Sequence, residues 1–191
     1  MRYSLIKDEN EFKKIRNAWI DLEKVSNNKD ISVSYTWVDI WWRIFKNVNN
    51  NTLGYDKKLA IIVGYNDNDN IILIAPFVLL KRKVLFFDIS FIEFIGQQWG
   101  SVSCNLLCSD YDIPKFDELE NIIKKYYKYD ILYIRQISKK NQKIYSQDFY
   151  VYSGCPIIDL HKYNAFSEFY NSKYSKRLKQ NRRRALNRAK K

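Results

Sequence analysis

Three apolar runs separated by short polar breaks constrain the fold of this chain more than any other feature. The first run, residues 59–64, is rich in β-branched side chains and too short for a helix, which is typical of a strand covered on both faces. Asn66-Asp-Asn-Asp-Asn70 follows it, and because Asn and Asp accept left-handed backbone angles we predict a hairpin turn there. The next runs, residues 71–80 and 84–95, flank Lys81-Arg-Lys83, which we interpret as a charged turn. The sequence therefore predicts an antiparallel meander of three strands.

Pro76 lies inside the second of these runs. A proline has no main-chain N–H and cannot donate to a strand ladder. We therefore predict a bulge, or the end of pairing on one side of the strand, near Ala75 and Pro76.

Two amphipathic helices are predicted before the meander, after a short strand at residues 3–6. Asp8 is placed to cap the first helix, which should run to about Val25. The second helix should begin near Ser34, with Trp42 and Arg43 outside its apolar face. That apolar face comprises Trp37, Ile40, Trp41, Ile44, Phe45 and Val48.

The remainder of the chain reads as an αβα passage followed by strands and a basic helix. The predicted order is a strand at 102–107, a helix at 113–126 with Pro114 in its first turn, a strand at 130–136, a helix or loop at 138–147, strands at 149–152 and 157–160, a helix at 165–170 capped by Asn164, and a helix from 175 to the end. Antiparallel strands followed by an αβα passage predict an α/β fold with a mixed, mainly antiparallel sheet and flanking helices.

Composition narrows the class of protein. A chain of 191 residues with 46% hydrophobic residues can bury one substantial core. No apolar run reaches the roughly eighteen residues needed to cross a bilayer, and the first residues lack a secretory signal, so we expect a cytoplasmic location. Cys104, Cys108 and Cys155 are an odd number and His161 is the only histidine, so we expect buried or half-buried thiols, with no disulfide framework and no metal.

The positive charge is concentrated at the end of the chain. The whole sequence has 33 Lys and Arg against 21 Asp and Glu, a net charge of +12. Residues 173–191 carry ten of those cations and no acid, which leaves 23 basic and 21 acidic residues in the body. The body is therefore nearly neutral, and the tail alone accounts for the basic character.

Several short motifs follow one another in an order that points to a known family. They are Ser34-Tyr-Thr-Trp37 with Trp41-Trp42, Ile74-Ala-Pro76, Phe94-Ile-Gly96, Tyr129-Asp-Ile-Leu-Tyr-Ile-Arg-Gln-Ile137, Cys155-Pro-Ile-Ile-Asp-Leu160, Phe169-Tyr170, Ser175-Lys-Arg177 and Arg182-Arg-Arg184. Together they resemble the GNAT acyltransferases, in the branch that includes the CelD cellulose-biosynthesis acetyltransferases and, more distantly, the FemAB aminoacyl transferases.

The resemblance implies an activity and an organisation. It implies a GNAT-like domain at residues 1–170, a basic connector at residues 171–191, and transfer of an acyl group from acetyl-CoA or another acyl-CoA to a saccharide-linked acceptor. Members of this group carry two halves with the donor site in the second, so the resemblance also implies a second GNAT-like half, or a homo-oligomer, as partner. The glycine-rich loop that holds the CoA pyrophosphate in simple GNAT enzymes is not present; Gly96 and Gly100 stand in its place.

Candidate site residues follow from the chemistry that acyl transfer needs. A base must take the proton of the acceptor, and the carboxylates of Asp88, Glu93 and Asp110 are candidates. Tyr133, close to Arg135, is a candidate acid for the departing thiolate. Ligand contacts are expected from residues near the end of the meander, namely Gln97, Gln98, Trp99 and Asn105. Each of these residues also has an ordinary structural interpretation, as a solvated or packed side chain, and so does His161 in a surface loop.

The tryptophans and the tail leave alternatives open. Trp37, Trp41 and Trp42 offer faces for stacking on a sugar or base, but we favour core packing for Trp37 and Trp41 and leave the role of Trp42 open. In the tail, Arg177, Arg182, Arg183 and Arg184 either face a CoA-linked donor, bind nucleic acid, or contact anionic lipid. We favour the connector or donor-facing interpretation, because the tail resembles the segment that joins the two halves in this family. Nucleic-acid binding is less favoured, since no aromatic residues are interleaved among the cations after Tyr174 to stack on bases. The alternative function is a noncatalytic module whose basic helix contacts nucleic acid or a protein partner.

Overall fold

The structure is a computed structural model that describes residues 2–26, 30–98, 105–109, 116–135 and 162–189. The chain divides into two compact units, Met1–Phe149 and Tyr150–Lys191. The sequence places the boundary near residue 170 instead. The predicted helix or loop at 138–147 and the predicted strands at 149–152 and 157–160 lie outside the described residues.

The first unit alternates short helices with strands. Its elements are β1 (Arg2–Ile6), α1 (Glu9–Lys14), α2 (Arg16–Val25), a short 3-10 helix (Ile31–Val33), α3 (Tyr35–Phe45), β2 (Tyr55–Tyr65), β3 (Ile71–Val84), β4 (Phe87–Phe94), β5 (Leu107–Cys108), α4 (Phe116–Tyr126) and β6 (Ile131–Leu132).

The described strands form one sheet in the order β1-β2-β3-β4-β6, with β5 paired to β3. Neighbours pair antiparallel, except that β4 and β6 are parallel through Phe91↔Ile131 and Ile92↔Leu132. The fold class predicted from sequence, a mixed and mainly antiparallel sheet with flanking helices, is confirmed. The predicted meander corresponds to β2, β3 and β4, joined by a turn in which Asn66 accepts from the main chain of Asn68 and Asn70.

The predicted charged turn at Lys81-Arg-Lys83 is wrong. These residues continue β3 to Val84, and the chain reverses at Leu85 and Phe86, because Val84 pairs directly with Phe87. Leu85 adopts a left-handed φ of 56°. The extension places Arg82 on the same sheet face as Leu80 and Val78, where it meets a carboxylate that the sequence analysis did not pair with it.

The prediction for Pro76 is confirmed. Pro76 pairs with Ile61 on the β2 side, and its carbonyl accepts from the Ile95 N–H (2.8 Å) on the other side. On that second side the β4 ladder ends at Phe77, and the short β5 pairs only with Leu73 and Ile74. The missing N–H of the proline therefore falls in the gap between β4 and β5, where no ladder bond is lost.

The first predicted helix is two helices. Asp8 caps α1 as predicted, accepting from the N–H groups of Asn10 (2.9 Å) and Glu11 (3.0 Å), but Ile15 leaves the helical conformation and α2 starts again at Arg16. On either side of this break, α1 and α2 each contribute one aromatic ring that packs against Tyr35. Phe12 of α1 stacks on Tyr35 at 4.9 Å between ring centroids, while Trp19 of α2 meets the same ring edge-on at 5.7 Å.

The predicted outward position of Trp42 is also wrong. Ser34 caps α3 as predicted, but the buried side chains of this helix are Tyr35, Val38, Trp41 and Trp42, whereas Ile40 and Ile44 are exposed. Trp42 is turned inward because its indole N–H has a partner there, the Glu9 carboxylate at 3.1 Å. A buried tryptophan with its N–H satisfied releases more apolar surface from water than a peripheral isoleucine.

The sheet has apolar packing on both faces. One cluster includes Phe12, Trp19, Val38 and Trp41 from the helices with Ile61 from β2. The cluster on the opposite face combines sheet residues with helix α4. Its members include Ala60, Ile62, Phe77, Ile92, Phe94, Leu119 and Ile123, with Cys108 packed against it. Residues 59–64 are buried along their whole length, as predicted for a strand covered on both faces.

The second unit is described for two helices, α5 (Phe166–Lys173) and α6 (Lys176–Ala189). The predicted cap is wrong by one position: Ala165 is the N-cap of α5, while the main-chain N–H of Asn164 donates to Glu168 (2.9 Å). The predicted basic helix is α6. Among all the described helices, none is long and apolar enough to cross a bilayer.

Candidate functional site

The chain leaves the sheet abruptly at the end of β4. After Phe94, the Gln97 N–H donates to the Phe94 carbonyl (3.1 Å), and Gly96 takes a φ of 84°. A Cβ on Gly96 would lie 3.0 Å from Nε1 of Trp37. Glycine fits here for two reasons, since the left-handed backbone is unfavourable for other residues and the indole leaves little room.

A buried ion pair lies just before this turn. Arg82 Nη2 contacts Glu93 Oε1 at 2.6 Å, and their side chains are only 11% and 3% exposed. The Arg82 guanidinium also donates through Nε to the Thr52 carbonyl (3.2 Å) and stacks over the Phe91 ring at 5.0 Å. Buried charges are costly unless paired and hydrogen-bonded, and both conditions are met here.

Two glutamines complete the network around Glu93. Nε2 of Gln98 donates to Glu93 Oε2 at 3.0 Å. Nε2 of Gln97 donates to the Tyr133 carbonyl at 2.8 Å and lies 3.5 Å from Glu93 Oε2, while Oε1 of Gln97 accepts from the Arg135 N–H at 3.0 Å. The Glu93 carboxylate is therefore surrounded by donors.

The side chain of Gln97 takes the place of a strand residue. The parallel ladder between β4 and β6 covers two residue pairs and is extended by the Tyr133 N–H donating to Ile92 (2.8 Å). Beyond that point β4 has turned away at Gly96. The Gln97 amide then supplies one donor and one acceptor, as a main-chain peptide would, and closes the space between the two strand ends.

Lys57 lies close to this network on β2. Its Nζ donates to the main-chain carbonyls of Val48 (2.5 Å) and Gly54 (2.7 Å). Burial lowers the pKa of the Lys57 ammonium, and the nearby Arg82 charge lowers it further, while Glu93 acts in the opposite direction. Lys57 is thus a second cation near Glu93, besides Arg82, and the negative charge of Glu93 partly offsets both.

The structure brings together part of the predicted site. Glu93, Gln97 and Gln98 are joined by hydrogen bonds, and Tyr133 contributes its carbonyl rather than its hydroxyl to the network. The Tyr133 ring packs edge-on against Phe91 at 6.3 Å and lies beneath the Arg135 guanidinium at 5.7 Å. For Glu93 to act as a base, its carboxylate would first have to exchange these donors for a substrate.

Other predicted residues lie elsewhere. Asn105 is buried, with its side-chain oxygen accepting from the Leu106 N–H (2.9 Å), and its described hydrogen bonds do not reach Glu93. Asp88 is exposed and accepts from the Tyr55 hydroxyl, which raises the pKa of Tyr55 to about 12. Asp110, Trp99 and His161 lie outside the described residues. In the second unit, Arg177, Arg182 and Arg183 are exposed on α6, and Arg182 stacks over Tyr170 at 5.0 Å.

A cleft with a volume of about 470 Å³ lies beside α4 and the start of β6. In its lining, Glu120 accepts from Lys124 (2.7 Å) and from the Tyr129 hydroxyl (2.9 Å). The Lys124 ammonium is the main cause of a lowered pKa at Glu120, while burial, followed by the Glu120 hydrogen bond, raises the pKa of Tyr129. No sequence signal pointed to this cleft.

Arg82 is the main site residue that the sequence analysis missed. The signal was available in the alternation of Val78, Leu80 and Arg82 along one strand face. A charged triplet after an apolar run is a common turn signal. Because we interpreted Lys81-Arg-Lys83 as a turn, we did not extend the strand alternation as far as Arg82.

We expect replacement of Gln97 by alanine to lower the free energy of unfolding by about 1–2 kcal/mol, because the Tyr133 carbonyl and the Arg135 N–H lose their partner in a partly buried place. The Arg135 amide should also exchange its hydrogen faster. Native-state hydrogen exchange and urea unfolding measure the two effects. Gln98→Ala is the matched control, since it removes one bond to Glu93 and none to β6. Equal exchange at Arg135 in both variants would show that the Gln97 amide does not hold the end of β6.

Within the residues that the structure describes, no group of three or more His, Cys, Asp or Glu side chains is placed to hold a metal ion. No family model, curated protein or solved structure matches the chain.

Proposed function

We propose that this chain is the GNAT-like amino-terminal half of an acyltransferase. In this proposal it takes part in moving an acyl group from acyl-CoA to an amino or hydroxyl group of a cell-envelope saccharide precursor, in the cytoplasm. The donor is held by a second GNAT-like half or by another copy of the chain.

The observation that carries the proposal is the arrangement of the last meander strand and β6. The described part of the first unit runs strand, helices, three antiparallel strands, the two-residue strand β5, helix, and a strand parallel to the third meander strand. The pairing between β4 and β6 covers two residue pairs and is extended by the Tyr133 N–H donating to Ile92, and β4 ends before the turn at Gly96. This order agrees with the mixed, mainly antiparallel α/β fold that the motif resemblance implies.

The hydrogen bonds of the Gln97 side chain support the part of the proposal that assigns donor binding to a companion half. A thioester entering between β4 and β6 would have to displace the Gln97 amide from both the Tyr133 carbonyl and the Arg135 N–H. A donor held on a companion half needs no such displacement. The polar network at Glu93, Gln97 and Gln98 then stabilises the first half.

The reaction itself requires no covalent enzyme intermediate. The acceptor nitrogen or oxygen attacks the thioester carbonyl, a C–N or C–O bond forms, and the C–S bond breaks. A base or water takes the proton of the acceptor, and the CoA thiolate leaves and is protonated. Main-chain N–H groups are suited to hold the oxyanion that develops on the carbonyl oxygen.

An acyl-transfer assay tests the proposal. The protein as its gene encodes it is incubated with acetyl-CoA and a panel of amino sugars and nucleotide-linked sugars, and thiol release is followed. Release that depends on an acceptor, with heat protection by acetyl-CoA, is the expected result. Absence of both, for every acceptor in the panel and for longer acyl-CoA donors, would contradict the proposal.

A noncatalytic role is the second candidate, and one observation favours it. Helix α6 carries seven Lys or Arg among its fourteen residues and no acid, and all of these cations except the half-buried Lys179 are exposed. Such a helix can neutralise the phosphates of a nucleic acid, with affinity that falls steeply as salt rises. Salt-dependent binding to nucleic acid that disappears when residues 173–191 are deleted, without any acyl transfer, would support this role instead.

A further inference from the structure

The apex of the β3–β4 hairpin exposes a continuous run of large apolar side chains. We use "hairpin apex" for Val84-Leu85-Phe86-Phe87, whose exposures are 47%, 84%, 96% and 69%. Single exposed apolar residues need no explanation, but four in succession at the end of a hairpin are unusual. Tight hairpin turns normally use Asn, Asp or Gly, and here Leu85 takes the left-handed conformation instead.

The hairpin apex projects beyond the strands on either side of it. On one side β2 begins pairing at Tyr55 with Lys81, and on the other β6 begins at Ile131, opposite Phe91. The adjoining chain fixes the base of the projection, because Asn51 accepts from the Lys83 N–H (2.8 Å) and Asp130 accepts from the Ser90 N–H (2.7 Å). The apolar side chains are therefore presented on a supported and convex tip.

We propose that the hairpin apex inserts into the interface of an anionic lipid bilayer. This goes beyond acyl transfer and does not rest on it. Aromatic and aliphatic side chains gain by leaving water for the boundary between headgroups and acyl chains, and a narrow convex tip can enter between headgroups without deforming the sheet.

The charges around the hairpin apex fit headgroups of negative charge. Lys83 is exposed directly beside it. Lys81 is paired with Asp56 (2.9 Å), and Lys83 lies across the hairpin from Asp88, whose carboxylate accepts from the Tyr55 hydroxyl. Lys83 is exposed, so its ammonium can meet a lipid phosphate at the depth where the apolar side chains enter.

Helix α6, considered by itself, has matching chemistry. Leu178, Ala185 and Leu186 follow the i, i+7, i+8 spacing of one helix face, and the two leucines are 51% and 49% exposed. The remaining surface is rich in Lys and Arg. A basic helix whose apolar stripe is about half exposed suits a lipid surface better than a nucleic acid, whose phosphates do not cover leucines.

Other occupants fit the hairpin apex less well. A stable interface between two copies of a chain buries roughly 1,200–2,000 Å². Four side chains on a convex tip are far too few to supply such an area.

Vesicle binding tests the proposal with the full chain. Flotation with phosphatidylcholine vesicles containing phosphatidylglycerol is compared with flotation on phosphatidylcholine alone. The variant Leu85→Ser/Phe86→Ser should lose partitioning on the order of 100-fold, because two exposed apolar side chains no longer leave water on binding. The matched control Val25→Ser/Ile31→Ser removes side chains that are 67% and 68% exposed elsewhere, and it should bind as the unchanged protein does.

Insertion is measured separately from attachment. A tryptophan at position 86 (Phe86→Trp) should be quenched by brominated lipid, beyond any quenching of the native tryptophans. Failure of the unchanged protein to bind anionic vesicles would overturn the proposal. So would loss of binding in Arg182→Gln/Arg183→Gln/Arg184→Gln but not in the apex variant, which would assign attachment to α6 alone. A change of oligomeric state in the apex variant with vesicle binding intact would overturn it too, by assigning the hairpin apex to a contact between copies.

Discussion

Replacing Glu93 by alanine is expected to lower the free energy of unfolding by about 3–5 kcal/mol, because the Arg82 guanidinium is then left as a buried charge without its carboxylate. Gln98 loses its acceptor in the same variant, which adds to the cost. Urea unfolding followed by circular dichroism measures the change. The exposed pair Lys24–Asp21 supplies the control, since Asp21→Ala should cost no more than about 1 kcal/mol.

Removing both charges together is the sharper comparison. The double variant Arg82→Met/Glu93→Leu buries no unpaired charge, so it should be markedly more stable than Glu93→Ala alone. If Glu93→Ala costs no more than Asp21→Ala, the network is not a structural element. If Glu93→Gln retains the fold but abolishes acceptor-dependent thiol release, the carboxylate acts in catalysis as well.

The elements that sequence reasoning placed correctly are those controlled by local chemistry. Asp8 and Ser34 cap their helices because their side-chain oxygens reach main-chain N–H groups two or three residues onward. The Asn66 turn is likewise closed by its own side chain. The gap beside Pro76 follows from a missing donor. In the caps and the turn, the side chain bonds to main-chain groups within a few residues of itself. At Pro76, the main-chain hydrogen is simply absent.

The failures share another cause, which is a distant partner. Lys81-Arg-Lys83 has the composition of a turn, yet it stays in β3 because Arg82 meets Glu93 eleven residues later. Trp42 faces inward because Glu9, thirty-three residues earlier, accepts its N–H. Propensity and periodicity contain no information about such partners, so tertiary contacts overrode both.

Sequence reasoning named several polar residues that the structure brings together, and their role in binding or catalysis stays a prediction. Glu93, Gln97 and Gln98 were singled out from the stretch around Gly96, and hydrogen bonds join them. Nothing in the sequence indicates that the Gln97 amide replaces a peptide group between β4 and β6, because that role depends on where β6 returns. The sequence therefore identified the polar residues. That they link the ends of β4 and β6 could be seen only once the register of this parallel pair was known.

Gly54→Ala is expected to cost about 2–4 kcal/mol of unfolding free energy, through left-handed backbone strain and overpacking together. Gly54 has a φ of 76°, and a Cβ there would lie 2.7 Å from Cδ1 of Leu80 and 2.9 Å from the Lys81 carbonyl oxygen. A side chain can shift, but the carbonyl belongs to β3 and is held by the sheet. The loop before β2 would have to move instead.

That displacement would reach the buried ion pair, which makes the variant informative about the site. The same loop supplies the Thr52 carbonyl to Arg82 and the Gly54 carbonyl to Lys57. Thermal unfolding of Gly54→Ala should be compared with Thr52→Ala, an exposed change in the same loop that leaves the main-chain carbonyl in place and should cost about 0.5 kcal/mol or less. In the double variant Gly54→Ala/Glu93→Ala the two costs should not add, because each disturbs the surroundings of Arg82. Simple additivity would mean that the loop and the ion pair are independent, and that Arg82 is held by Glu93 alone.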